Sequence, residues 1–317
     1  MTKRPLGRSG ISVAPLALGG NVFGWTCDEK TSFTILDTFV DLGFDLIDTA
    51  NMYSAWVPGH TGGESETIIG NWLKSTGKRD KIVLATKVGM PMGDGSKGLK
   101  RDYILQSLDA SLKRLQTDYV DLYQSHRDDP ETPLEETLAA YDQLIKSGKV
   151  RAIGASNYGA VRLAEGLKVS TEKHLPAYIS LQPEYNLYDR EGFEEALEQL
   201  CLEQGLGVIS YFSLASGFLT GKYRSTADLG KSARGASIGK KYLNDRGLRI
   251  LSALDEVAAA HQTVPAVIAL AWLIQRKSIT APIASATSVT QLSELVKATQ
   301  VTLDAREVTR LTQASAD

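Results

Sequence analysis

From end to end the chain alternates short apolar runs with longer amphipathic ones, and this alternation limits the folds open to it. Eight runs read as strands: residues 16–19, 46–49, 82–87, 120–124, 152–156, 179–182, 208–212 and 279–284. Each is mostly apolar and bounded by Gly, Asp, Asn or Pro, as suits strands buried on both faces of a parallel sheet. Between them, residues 32–42 set Phe33, Leu36, Phe39 and Val40 at helical spacing, and residues 103–115 do the same with Ile104, Leu105, Leu108 and Leu112. Residues 134–145 follow Pro133 and open with Glu135 and Glu136, and residues 193–202 open with Glu194 and Glu195 and stop before Gly205. Acids in the first turn and glycine past the last fit the helix dipole and its caps. Eight such pairs predict a (β/α)8 TIM barrel. The competing fold is an open doubly wound sheet. Against it, residues 19–24, Gly-Gly-Asn-Val-Phe-Gly, lack the third-position glycine of a dinucleotide fingerprint.

Composition narrows the class. The chain has 317 residues, 43% of them hydrophobic and 23% charged, which excludes a mainly disordered, collagen-like or disulfide-dense chain. Its length is compatible with about two average domains, but barrels of roughly 200–400 residues fold as one, so residues 1–317 read as one domain. With 35 basic and 37 acidic residues the net charge is −2, which gives no overall field for a nucleic-acid partner. Cys27 and Cys201 lie far apart and share no metal-type spacing with histidine, so neither a disulfide scaffold nor a metal site is expected. The basic N-terminus lacks the apolar run of a signal peptide. The longest apolar stretch, residues 264–274, contains Pro265, falls short of the ~20 residues that span a bilayer, and reads as a buried helix. A cytoplasmic location without a membrane partner is therefore expected; oligomeric state is left open. Residues 3–13 read as a hairpin around Gly7-Arg8-Ser9-Gly10 that could cap the barrel bottom. Residues 215–245 form a long connection rich in Gly, Ser and Lys, of the kind that is usually functional or mobile.

In a barrel, polar residues at the C-terminal ends of strands form the active site. Those ends carry Asp48, Lys87, His126, Ser156-Asn157, Gln182 and Tyr211. Taken singly, Asp48 could cap a turn, His126 could be structural and Tyr53 could be a packing aromatic. Their coincidence is the signal: an acid, an amine, an imidazole and a phenol project from strands two, three and four. A phenol titrates near 10, too high for easy proton exchange at neutral pH, and a nearby ammonium favours its anion. A carboxylate keeps the ammonium charged, and an imidazole can polarise a carbonyl oxygen. Such a set donates a proton to an oxygen gaining negative charge, or removes one in reverse. None of these residues is a hydride source, so an oxidoreductase needs a cofactor.

These residues resemble the aldo-keto reductase superfamily, in its bacterial and potassium-channel β-subunit-like branch. The resemblance runs nearly the whole chain. It is carried by residues 44–53, ending Asp48-Thr49-Ala50-Asn51-Met52-Tyr53, then Ser65-Glu66 and Gly70, then Thr86-Lys87 and residues 118–126 through His126. Residues 148–157, 181–186 and 217–223 continue it in order. The resemblance implies a barrel that interconverts small carbonyl compounds and alcohols with NADP(H), NAD(H) being the alternative. It implies Tyr53 as general acid, Lys87 and Asp48 as the pair that sets its acidity, and His126 as the carbonyl-orienting group. Gly20, Asn21 and Asp48 would lie along the cofactor. Ser156, Asn157 and Gln182 would hold the nicotinamide carboxamide, with Tyr211 stacked on the ring. Ser213, Leu214, Ser216, Gly217 and Lys222 would line the pyrophosphate path. Ile283, Ser285, Thr287, Ser288, Gln291 and Glu294 would take the adenosine end, with backbone donors at a helix N-terminus for the 2′-phosphate.

The sequence departs from the family pattern in three places. Many members carry Lys or Arg where Ser285 stands and Arg where Gln291 stands, and those cations suit a 2′-phosphate. The loop after Tyr53, residues 54–63, is longer than usual and offers Trp56 as an apolar wall. Some members place Trp where Asn21 stands; Trp25 and Trp56 could replace it at the substrate. Two other functions use the same residues. Lys87 could be a Schiff-base nucleophile in a barrel aldolase, or the chain could be a dinucleotide-binding regulatory module with slow turnover.

Overall fold

The structure is a computed structural model that describes residues 2–316. The chain opens with an antiparallel hairpin, β1 (Arg4–Pro5) and β2 (Ser12–Val13). Eight parallel strands follow: β3 (Ala17–Gly19), β4 (Leu46–Asp48), β5 (Val83–Val88), β6 (Val120–Ser125), β7 (Val150–Ser156), β8 (Ser180–Gln182), β9 (Gly207–Val208) and β10 (Ile283–Ala284). Their spatial order is β10-β3-β4-β5-β6-β7-β8-β9. The two edges meet: Val208 bridges Ile279, and the Ile283 amide donates to the Ser210 carbonyl at 2.8 Å. The sheet is thus the (β/α)8 barrel, not the open sheet.

The last two strands are shorter than the sequence predicts, for a local reason. Thr280 and Ala281 both donate to the Val208 carbonyl, at 2.9 and 3.2 Å, so two residues face one and the ladder is regular only from Ile283. On β9 the chain turns away at Phe212, whose φ is 51°. The predicted helix over 193–202 is two helices, Glu191–Glu194 and Ala196–Gln204, broken at Glu195. The Glu194 carboxylate accepts from Tyr185 Oη at 2.6 Å and Arg190 Nη2 at 2.7 Å, which pins the first turn on its own. The long connection after β9 is mostly short helices: Ala215–Thr220, Thr226–Lys231 and Gly235–Tyr242. The apolar stretch is the helix Pro265–Ile274, buried from Ala266 onward. Among the described residues, no single helix is long and apolar enough to cross a membrane, and no His, Cys, Asp or Glu cluster could hold a metal ion. Cys27 and Cys201 are free and buried.

Strand alternation decides where polarity enters the barrel. Leu6, Ile11 and Val13 of the hairpin segment share one apolar cluster with Ala17, Leu46, Ala85, Leu122, Ala152, Ile209 and Ala281, so the hairpin does plug one end. Two residues further along three of those strands come Asp48, Lys87 and Gln124, all buried. The apolar floor therefore gives way to a polar layer at the C-terminal ends.

Candidate active site

Lys87 is fully buried on β5 and makes three hydrogen bonds. Its Nζ donates to Asp48 Oδ2 at 2.6 Å, to the Thr49 carbonyl at 2.8 Å and to Tyr53 Oη at 2.8 Å. Burial pulls the amine below its ordinary pKa, while the Asp48 and Glu66 carboxylates push it back up. Tyr53 Oη donates weakly to Asp48 Oδ2 at 3.4 Å. Burial, then the Asp48 charge, raises the phenol well above its usual 10. The sequence argument anticipates a lowered phenol pKa. Instead the ground-state phenol keeps its proton, and the ammonium 2.8 Å away is placed to stabilise the anion once the proton leaves.

Asp48 Oδ1 accepts from two amides, Gln182 Nε2 at 2.9 Å and Gln124 Nε2 at 3.2 Å. The ring of His126 lies 5.9 Å from that of Tyr53, centroid to centroid. Burial, Lys87 and Arg127 hold its pKa well below 6.5, so the imidazole is neutral at pH 7. Its Nδ1 is buried and has no hydrogen-bond partner. The helix Glu64–Thr76 is fastened to this layer. Ser65 Oγ bonds the Gly20 carbonyl at 2.7 Å and Thr49 Oγ1 at 2.8 Å, and the Glu66 carboxylate accepts from Thr86 Oγ1 at 2.5 Å and Arg114 Nε at 2.7 Å.

Above this layer opens a cavity of about 1330 Å³, lined by Asp48, Tyr53 and His126. Trp25 and Trp56 meet edge-on at 5.6 Å and wall it beside Tyr53, with Trp56 6.1 Å from the Tyr53 ring. The arrangement can hold a proton at Tyr53 Oη and deliver it to an oxygen in the cavity, while a neutral imidazole contacts the same oxygen.

Residues 15–316 match the profile of the Aldo/keto reductase family. The chain belongs to the aldo/keto reductase family. It is 36% identical to the uncharacterized oxidoreductase YrpG of Bacillus subtilis, over 96% of this chain and 93% of that protein. It is 34% identical to a probable voltage-gated potassium channel subunit beta of Arabidopsis thaliana, over 95% of this chain and 92% of that protein. L-glyceraldehyde 3-phosphate reductase of Escherichia coli is 33% identical over all of this chain and 93% of its own length. Family membership makes this protein an oxidoreductase, and aldo/keto reductases generally use nicotinamide cofactors.

Most residues expected along the cofactor meet at this one cavity. Asn21, Ser156, Asn157, Gln182, Tyr211, Ser213, Leu214, Ser216, Gly217 and Lys222 line it, as do Ile283, Ser285, Thr287, Gln291 and Glu294. Ser156 and Gln182 are register partners on β7 and β8. Asn157, at φ 56°, is held by Tyr211 Oη donating to its Oδ1 at 2.7 Å and by its own Nδ2 donating to the His126 carbonyl at 2.9 Å. Two expected residues are not among the lining. Gly20 is packed beneath the cavity, where a Cβ would meet Ser65 Oγ at 2.9 Å. Ser288 Oγ already accepts from the Gln291 amide at 3.2 Å and caps Val289–Leu295, a helix of only 7 residues. Lys87 also lies off the cavity, behind Tyr53.

The sequence reading missed Gln124 and Arg234. Gln124 could have been found by alternation, since it follows Leu122 on the inward face of β6 and His126 continues the alternation just past the strand's end. Arg234 comes from the long connection after β9 and had no local signal. It lines the cavity, and its guanidinium lies 5.0 Å from the Trp25 ring centroid. Arg127, read as part of a solvated loop, is exposed yet also lines the cavity.

Proposed function

We propose that this aldo/keto reductase interconverts aldehydes or ketones and alcohols, with Tyr53 as proton donor and NADP(H) as the preferred hydride carrier. The observation that carries the reading is Lys87 Nζ, 2.6 Å from Asp48 Oδ2 and 2.8 Å from Tyr53 Oη, behind a cavity lined by Asp48, Tyr53 and His126. When bound, the dihydronicotinamide supplies the hydride. Tyr53 keeps its proton through the neutral range and gives it to the carbonyl oxygen as negative charge grows there. Lys87 meets the resulting phenolate with a charge already in place, and Asp48 keeps that charge oriented. His126, neutral, donates one N–H to the same oxygen and orients the carbonyl. Trp25 and Trp56 give the substrate side an apolar wall.

The residues fit a dinucleotide. The cavity exceeds the roughly 300–1,000 Å³ of ordinary small-molecule sites. It runs from Tyr53 to Glu294, and Ser156, Asn157 and Gln182 offer polar groups beside Tyr53. Lys222 and Arg234 line it with no carboxylate partner among the described residues. Two unpaired cations suit phosphate groups, and NADP(H) carries one more phosphate than NAD(H). In this reading Lys222 meets the pyrophosphate, and Arg234, from the segment after β9, is the cation offered to the further phosphate of NADP(H). A small carbonyl substrate agrees with the relative named for reducing a sugar-phosphate aldehyde.

The Schiff-base alternative fares worse, because Lys87 points all its N–H bonds at three acceptors and Asp48 keeps it protonated. Tyr53→Phe tests the proton-donor role. Dinucleotide affinity should stay within about twofold, while reduction of an aldehyde panel falls about 10²- to 10⁴-fold. A fully active Tyr53→Phe enzyme contradicts the role.

A further inference from the structure

Among the described residues four cations line the cavity: Lys222, Lys231, Arg234 and Arg127. Lys231 is paired with Asp228 at 2.6 Å, and the reading above gives Lys222 and Arg234 to the phosphates of the dinucleotide. Arg127 is left over. It directly follows His126, just past the end of β6, and its side chain is exposed.

The acids beside it are committed elsewhere. Asp128 Oδ1 accepts from Arg162 Nε at 2.9 Å. Asp129 Oδ2 accepts from the Leu99 amide at 2.8 Å and from Thr132 Oγ1 at 2.7 Å. The turn itself is braced on both sides. Arg162 Nη2 donates to the Thr132 carbonyl at 3.4 Å, the His126 amide donates to the Val88 carbonyl at 2.8 Å, and the His126 carbonyl accepts from Asn157 Nδ2 at 2.9 Å. A fixed backbone therefore carries a guanidinium that has no carboxylate partner among the described residues. Binding an anion there costs little ordering of the backbone.

This charge reaches the reaction centre, since Arg127 is one of the groups that keep the His126 imidazole neutral. A carbonyl oxygen held by Tyr53 and His126 thus lies within the field of Arg127. Trp25, Trp56, Met90 and Pro130 give the cavity apolar surface, suited to the carbon chain of a substrate and not to its charge. The match is to a single negative charge. A guanidinium takes a carboxylate through two parallel N–H···O bonds. A phosphate ester carries about −1.5 to −2, and the Asp128 carboxylate, which lines the cavity next to Arg127, disfavours the second charge.

We propose that Arg127 is a specificity-determining residue that binds a carboxylate on the substrate, so that this oxidoreductase prefers short oxo acids to neutral aldehydes. The proposal rests on the carbonyl-reduction reading above and adds a substrate class to it.

The test compares kcat/KM with NADPH for 4-oxobutanoate against its methyl ester, and for glycolaldehyde phosphate against glycolaldehyde. The wild-type enzyme should favour the acid over its ester about tenfold or more, the effect of one charge-assisted pair, with a smaller preference in the phosphate pair. Arg127→Gln should bring the acid-to-ester ratio down toward one. Arg127→Lys keeps the charge without the fork and should give an intermediate ratio. The ratio separates recognition from a changed field at His126, because that field acts on the carbonyl group that acid and ester share. An equal fall for both leaves the ratio where it was and overturns the proposal. So does a wild-type enzyme indifferent to the charge, one that prefers only the phosphate, or one that reduces other aldehydes and none of these four. A protein that binds NADPH and reduces no aldehyde of a wider panel overturns the carbonyl-reduction reading itself and this proposal with it, an outcome told apart from a ratio of one by the lack of any turnover.

Discussion

Inside the barrel each buried charge is held by named partners. Asp48 meets Lys87 on one oxygen and two amides on the other, Glu66 meets Arg114 and Thr86, and Lys87 has no contact with water. Ion pairs this deep persist only when hydrogen bonds satisfy their remaining atoms. His126 is the exception, with an orphaned Nδ1 and a pKa held well below 6.5 by burial, Lys87 and Arg127. That has a consequence for stability. The unfolded chain, with a histidine near 6.5, takes up a proton that the folded chain refuses, so stability falls as pH drops through 6.5 toward the folded pKa. His126→Phe should flatten this slope by up to about 1.4 kcal/mol per pH unit, read by urea unfolding between pH 7 and 5; an unchanged slope means that the folded imidazole titrates normally. The phenol works in the other direction. In the proposed mechanism, a Tyr53 that keeps its proton means that carbonyl reduction needs no prior ionisation at neutral pH, whereas alcohol oxidation needs the phenolate. The charged and aromatic members of this set were legible in the sequence, because an acid, a lysine and a histidine at the tips of apolar strands demand explanation. Gln124 was not, because an uncharged amide between Tyr123 and Ser125 raises no such demand until Lys87 is seen across the ladder.

Elements carry the next level of the argument. The strands were readable because apolar runs bounded by Gly, Asp and Asn have few alternatives. Their ends at β9 and β10 were not, because a two-to-one bulge on Val208 and the turn at Phe212 come from closure of the barrel, not from local sequence. Nor was the fold of residues 215–245. Phe212, Ala215 and Ser216 all have positive φ, at 51°, 48° and 58°, and steer the chain over the cavity. Non-glycine residues in that conformation carry a cost of order 1–3 kcal/mol each, and such strain clusters at ligand sites. The segment that follows brings Lys222 and Arg234 to the cavity. Arg234 over Trp25 couples the connection to the substrate wall as well. Arg234→Gln should therefore lower NADPH affinity about tenfold or more, with a smaller effect on NADH. Equal loss for both dinucleotides would place Arg234 away from the phosphate that distinguishes them.

At the scale of the whole molecule, a hairpin plugs one end of the barrel and the cavity lined by Asp48, Tyr53 and His126 opens at the other. The apolar floor and the polar layer belong to the same strands, two residues apart, so the scaffold that folds the chain also aims the site. One cavity then gathers residues from Gly19 to Leu295, so a ligand filling it joins segments drawn from nearly the whole length of the chain. Such a ligand stabilises the folded state by about 2.7 kcal/mol at a hundredfold excess over its Kd. The most direct test of the account is the thermal midpoint of the wild-type protein with no dinucleotide, with NADH and with NADPH. The account expects NADPH to raise the midpoint by several degrees and NADH by less, consistent with about 2–4 °C per kcal/mol for proteins near this size. A midpoint that neither dinucleotide moves, at concentrations up to millimolar, contradicts it.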